Sequence, residues 1–202
     1  MERAELARVV IAGLAGDTGK TLVSLGLTRA LRRRDLTVAP FKKGPDFIDA
    51  AWLGAAAGRS CRNLDTFLMP REVVLSSLLE GGRGADLALI EGNRGLFDGM
   101  DALGAHSTAQ LAKLTGSRVV LVVDVAKVTR TVAAMVLGCR ALDCTLPLAG
   151  VILNRVATAR QERVIRRAVA AVADLPVLGA IPRLRDQHLP SRHLSLIHIS
   201  EP

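Results

Sequence analysis

Aromatic side chains are scarce: the 202 residues include no tyrosine, one tryptophan and four phenylalanines. Proteins that hold single-stranded nucleic acid stack bases on such rings, and groove binders need a dense basic stripe. This chain offers neither, so no nucleic-acid partner is expected. Cysteine is scarce too. Cys61, Cys139 and Cys144 are too few and too irregularly spaced for a disulfide framework or a zinc site, which points to a reducing, cytoplasmic compartment. Long apolar runs are missing as well: stretches such as 119–123 stop at a charge, far short of the roughly 20 residues of a membrane span. The first residues, MERAELARVVIAG, lack the apolar stretch and small-residue cleavage site of a secretory signal. A membrane or exported protein is therefore not expected.

What the chain has is globular composition, with half its residues hydrophobic and 23% charged. Lys and Arg number 27 against 19 Asp and Glu, a net charge of +8. The cations are spread out; the one dense run, Arg32, Arg33 and Arg34, falls at an expected helix end, where it suits the helix dipole. A basic surface of this kind serves a polyanionic small substrate.

Short apolar runs alternate with amphipathic stretches. Strands are expected at 8–13, 37–41, 86–91, 118–124, 148–153 and 177–181, each continuously apolar, as strands buried on both faces are. Helices are expected at 20–34, 71–80, 107–115, 129–141 and 158–173. This alternation predicts an α/β fold with a mainly parallel sheet flanked by helices, in a single domain.

The first strand runs into Gly13-Leu14-Ala15-Gly16-Asp17-Thr18-Gly19-Lys20-Thr21, and a helix follows. In that setting backbone N–H groups wrap a phosphate at a helix N-terminus. Lys20 is expected to reach the β- and γ-phosphates of a nucleotide and the Thr21 hydroxyl to bind Mg²⁺. The strict pattern G-x-x-x-x-G-K-[ST] fails by one residue, because Leu14 stands at its first position and Gly13 one place earlier.

Strand ends of a parallel sheet form one rim where ligands bind. The second strand ends in Phe41-Lys42-Lys43-Gly44-Pro45-Asp46-Phe47-Ile48-Asp49, which brings Lys42, Asp46 and Asp49 beside the phosphate loop. Asp46 and Asp49, three apart at a turn or helix start, could equally cap a helix. The third strand closes on Glu91, where a Mg²⁺ ligand belongs, and Asp98 follows between glycines, as a ligand-facing or turn-forming residue. Ser107 and Thr108 read as caps of the next helix.

These segments resemble a family. The phosphate loop with FKKGPDFID (41–49), NLDTFLM (63–69), IEGNRGLFDGMD (90–101), STAQLAKL (107–114), LVVD (121–124), GVILNRV (150–156), GAIPRL (179–184) and LPSRHL (189–194) is similar to the cobyrinic acid a,c-diamide synthases. The offset of Gly13 resembles loops of the related dethiobiotin synthetases. The resemblance implies a P-loop NTPase fold and an ATP- and Mg²⁺-dependent amidoligase of corrinoid biosynthesis. In that chemistry ATP phosphorylates the a and c carboxylates of cobyrinic acid, and ammonia from glutamine displaces the phosphate. It further implies nucleotide contacts from Gly13, Gly16, Thr18, Gly19, Lys20 and Thr21, and metal contacts from Thr21, Asp46 and Glu91. Lys42, Asp46, Asp49 and Asp98 become catalytic or substrate-positioning, and Asn154 and Arg155 a base-recognition element. Hydrogenobyrinic acid and nickel-sirohydrochlorin are alternative substrates, and a homodimer is compatible with the reading.

The family's glutaminase domain is absent from the sequence, so residues 1–193 are expected to form the synthetase domain. The ending LSLIHISEP (194–202) resembles a translated transposase adapter end and is expected to be foreign. A reading of another class is a ParA/MinD-like ATPase switch binding protein partners. Such switches carry a second lysine early in the loop, and Leu14-Ala15-Gly16 has none.

Overall fold

A computed structural model describes residues 6–184; LPSRHL and the ending at 194–202 lie outside them. Seven parallel strands form one sheet: β1 (Ala7–Gly13), β2 (Val38–Lys43), β3 (Arg62–Leu64), β4 (Leu87–Glu91), β5 (Arg118–Asp124), β6 (Leu148–Val156) and β7 (Val177–Pro182). Their spatial order is β3-β2-β4-β1-β5-β6-β7. β1 lies at the centre, paired on one side with β4 and on the other with β5. The phosphate loop thus leaves the sheet between two neighbours whose crossovers diverge, the place where open α/β sheets hold ligands.

Side-chain alternation divides the core in two. Val10 and Ala12 of β1 point into the larger cluster, while Ile11 points into the smaller. Val23, Leu27 and Leu31 of α1 (Lys20–Arg32) cover the smaller one. Beside α1, and packed on it and β2, lies α2 (Ile48–Ala57). The larger cluster takes apolar side chains of α3 (Arg71–Gly81), α4 (Thr108–Thr115), α5 (Thr131–Leu142) and α6 (Ala159–Ala173). The expected strands and helices stand within three residues of their predicted ends, and β3 and α2 are additional.

Two consequences fix the site. Val38 and Leu89 belong to the α1 face, so Lys42 and Glu91, an even number of residues further on, face α1 as well. Ala39 and Phe41 belong to the opposite face, and Lys43 follows them there. The register pairs Lys42 with Glu91 directly across β2 and β4.

Candidate nucleotide and metal site

Glycine is required at two points of the phosphate loop. A Cβ on Gly13 would stand 2.3 Å from Thr18 Oγ1. Gly19 has φ 95°, and a Cβ there would stand 2.1 Å from Asn154 Nδ2. Gly16, by contrast, meets nothing within 4 Å, so sterics do not demand it. Gly19 opens α1 without a side-chain cap, and the helix has no acid in its first turn. The first N–H groups of α1 are therefore open to an anion, as a phosphate site requires. Thr18 is buried, and Lys20 curls back so that Nζ donates to the Ala15 carbonyl at 2.9 Å across the loop.

Thr21 Oγ1 donates to Glu91 Oε1 at 2.8 Å. The same oxygen accepts from Lys42 Nζ at 2.8 Å, and Nζ stands 2.8 Å from Asp49 Oδ2 and donates to the Gly92 carbonyl at 3.2 Å. Lys42, Asp49 and Glu91 are at most 1% exposed. One chain of contacts thus ties the phosphate loop to the end of β4, the end of β2 and the first turn of α2. Burial works against the Lys42 charge, but the charge of Glu91 and its hydrogen bonds with Asp49 and Glu91 outweigh it, and its pKa lies above the ordinary lysine value. Burial pushes Glu91 up, against the pull of Lys42 and Thr21.

Two carboxylates against one ammonium leave this cluster with a net negative charge where water is excluded, and a further cation relieves it. Glu91 Oε2 is buried without a hydrogen bond among the described residues. Nowhere among the described residues do three His, Cys, Asp or Glu side chains gather as a metal group. A hydroxyl, a carboxylate and space for phosphate oxygens suit Mg²⁺, which takes one or two protein oxygens and completes its shell with water and phosphate. Thr21 and Glu91 fit that ion.

The other expected residues are placed as follows. Asp46 Oδ1 accepts from the Asp49 backbone N–H at 2.8 Å and so caps α2, and no hydrogen bond described here joins it to Thr21 or Glu91. Asp98 is exposed, and its Oδ2 accepts from the Gly95 N–H at 2.8 Å, closing its own loop. Asn154 is buried 136 residues from the loop in sequence, yet its Nδ2 donates to the Thr18 carbonyl at 2.9 Å, while Oδ1 has no partner among the described residues. Its neighbour Arg155, at φ 61°, pairs with Asp124 at the end of β5. Ser107 caps α4, as expected. Thr108 does more than cap: its hydroxyl accepts from Asn93 N–H at 3.2 Å, donates to Asn93 C=O at 3.1 Å, and fixes the backbone just beyond Glu91. A Cβ on Gly92 would meet Thr108 Cγ2 at 2.7 Å, so this approach needs glycine. The paired Gly92 and Thr108 are visible in the sequence only as a glycine after a strand and a threonine after a loop.

Residues 9–196 match the family described as CobQ/CobB/MinD/ParA nucleotide binding domain (CbiA). Curated relatives include a cobyrinate a,c-diamide synthase of Magnetococcus marinus, 47% identical over 97% of this chain and 42% of its own length. A hydrogenobyrinate a,c-diamide synthase of Streptomyces coelicolor is 46% identical over 96% of this chain and 40% of its own. The chain thus spans less than half the length of these relatives. Among solved structures, the hydrogenase maturation factor HypB of Archaeoglobus fulgidus superposes with a TM-score of 0.57 at 16% identity, covering 87% of this chain and 81% of its own. Chloroplast FtsY of Physcomitrella patens gives 0.60 at 16% identity, covering 87% and 58%. These likenesses carry the fold: a P-loop nucleotide-binding α/β domain.

Proposed function

The chain belongs to the CobQ/CobB/MinD/ParA nucleotide-binding domain family, and from that premise we propose that it is the synthetase part of an ATP-dependent amidoligase. Its substrate is a corrinoid acid whose a and c carboxylates become amides, and its place is cobalamin biosynthesis. The observation that carries the reading is the continuous contact from Thr21 through Glu91 and Lys42 to Asp49, which couples a phosphate loop to a second set of strand ends. A domain that only held nucleotide would need the loop alone. The names of the relatives, cobyrinate and hydrogenobyrinate a,c-diamide synthase, favour these two acids over nickel-sirohydrochlorin. The Lys-free stretch Leu14-Ala15-Gly16 disfavours a ParA/MinD-like switch.

The chemistry joins two anions, a carboxylate and the γ-phosphoryl of ATP, so it needs positive charge and exclusion of water. The open N–H groups of α1 and the Lys20 ammonium receive the phosphates. Thr21 and Glu91 would hold Mg²⁺, which would supply positive charge against the phosphates. Lys42 bridges Glu91 and Asp49 and so would hold the carboxylate that faces the ion. Asp46 and Asp98 would flank the approach of the substrate carboxylate, and Asp49 would position the site through Lys42. Asn154, clamped on the Thr18 carbonyl, and Arg155 beside it would meet the base of the nucleotide. Ammonia attacks the acyl phosphate and phosphate departs. A glutaminase domain would supply the ammonia, and this chain spans less than half the length of its relatives.

Mass spectrometry of cobyrinic acid after incubation with the chain, MgATP and ammonium tests the reading, beside a Glu91→Ala control. A mass change for two carboxylate-to-amide conversions, lost in the control, is expected. Absence of product from a folded chain that binds MgATP would overturn it.

A further inference from the structure

Two cations near the end of β2, Lys43 and Arg94, have no task in the nucleotide site. Lys43 ends β2 on the face of Phe41, half-buried. Arg94 stands in the loop after β4, exposed and at φ 49°. Asn93 brings that loop against β2: its Nδ2 lies 3.4 Å from the position a Cβ on Gly44 would take. Neither cation makes a hydrogen bond or ion pair among the described residues. Burial, Lys42 and Arg94 all work against the Lys43 charge, Asp65 alone supports it, and its pKa lies below the ordinary lysine value. Asp65 is itself engaged, since its Oδ1 accepts from the N–H groups of Phe67 at 2.8 Å and Leu68 at 3.2 Å. The arrangement is short of negative charge, which a ligand carboxylate would supply.

The loops that carry and adjoin the two cations expose apolar side chains. The loop after β3 exposes Phe67 and Leu68, and the loop carrying Arg94 runs on to the exposed Met100 and Leu103. The two loops are fastened to each other, with the Phe67 and His106 rings edge to face at 5.5 Å and His106 Nδ1 3.1 Å from Thr66 Oγ1. Phosphates prefer a polar cradle. Cations among exposed apolar side chains suit a ligand that presents carboxylates from a hydrophobic body.

We infer that Lys43 and Arg94 form a carboxylate seat on the β2, β3 and β4 side of the rim, and that the apolar loops beside it carry the body of the corrinoid acid. The inference rests on the proposed function and assigns the substrate its own ground, separate from the phosphate loop. One substrate carboxylate held here leaves another free to reach the γ-phosphoryl side. Arg94 keeps a left-handed backbone that glycine would take without strain, so its side chain is what the position retains.

Calorimetric titration of cobyrinic acid and, separately, of MgATP into the chain and its variants tests this. Arg94→Gly and Lys43→Met are expected to weaken cobyrinic acid binding by about tenfold each, with nucleotide affinity unchanged. Arg94→Gly should not lower the melting temperature, and Arg94→Lys should restore most of the affinity. Leu103→Ser, at a position 95% exposed, should weaken the corrinoid alone. If wild type binds cobyrinic acid and the variants bind it equally well, the seat is overturned and the proposed function stands. If the variants lose nucleotide affinity instead, the cations serve phosphate and the seat is overturned. If wild type binds MgATP but no corrinoid acid, the proposed function falls and the seat with it.

Discussion

Lys42 is a residue whose surroundings only the fold shows. The sequence places a lysine at a strand end beside a phosphate loop, where it would be expected to screen reacting anions. The structure buries that ammonium between Asp49 and Glu91. Removing it leaves two buried carboxylates facing each other, so Lys42→Met should destabilise the chain by about 3–5 kcal/mol. Adding Glu91→Gln should recover part of that, since one of the uncompensated charges goes; chemical denaturation of the single and double variants measures both. Cys61 offers a second test of the local field. Burial, then the charges of Glu91 and Asp46 working against Lys42, pushes its thiol up to about 12. A raised thiol pKa means the thiolate appears only as pH climbs, so at pH 8 about one thiol in ten thousand is ionised. Iodoacetamide should therefore label the exposed Cys144 well before Cys61, and the Cys61 rate should rise about tenfold per pH unit toward pH 12. Equal labelling of both at pH 8 would show that Cys61 does not sit in this field.

At the scale of elements, α2 joins stability to the site, and Asp46 is where the two can be separated. Its carboxylate caps the helix that carries Asp49. Asp46→Ala should cost about 1 kcal/mol through the lost cap. Asp46→Asn keeps a cap acceptor and discards the charge, so it should hold stability while turnover falls if Asp46 also serves metal or substrate. Full turnover in Asp46→Asn would leave the cap as its only role; melting curves and product assays on the pair decide it. The same element shows what the sequence conceals. IDAAWLGAAA has no polar face, because small residues and Gly54 blur the helical period, and α2 is not among the helices expected from periodicity. The three-residue β3, Arg-Asn-Leu, is too short to alternate visibly. Strands β1, β4 and β5 were legible because burial on both faces makes them continuously apolar. Within the site, the places of Lys20 and Thr21 follow from a strand–loop–helix unit, and that of Glu91 from the end of an apolar strand. The clamp of Asn154 on Thr18 does not, since it depends on β6 folding back to the loop across 136 residues.

At the scale of the whole molecule, the buried charge imbalance couples ligand binding to stability. The sheet converges at one rim, where loops from β1, β2, β4 and β6 are held by contacts that cross the sequence. A nucleotide that binds only the folded state should stabilise the entire domain, and a divalent cation brought with it would offset the carboxylates at their centre. At nucleotide concentrations about a hundredfold above Kd the gain is about 2.7 kcal/mol. For a domain of this size that corresponds to a rise in Tm of about 5–10 °C. Because Glu91 is the carboxylate the ion would meet, Glu91→Ala should keep the part of the shift seen with ATP and EDTA and lose the part that Mg²⁺ adds. The variant also removes one of two like charges around Lys42, so its Tm without ligand should fall less than that of Lys42→Met. Differential scanning fluorimetry of both proteins, with ATP, with MgATP and with neither, reads all of these differences. A Mg²⁺-dependent shift that survives in Glu91→Ala would move the ion to other oxygens and leave Glu91 as the partner of Lys42 alone.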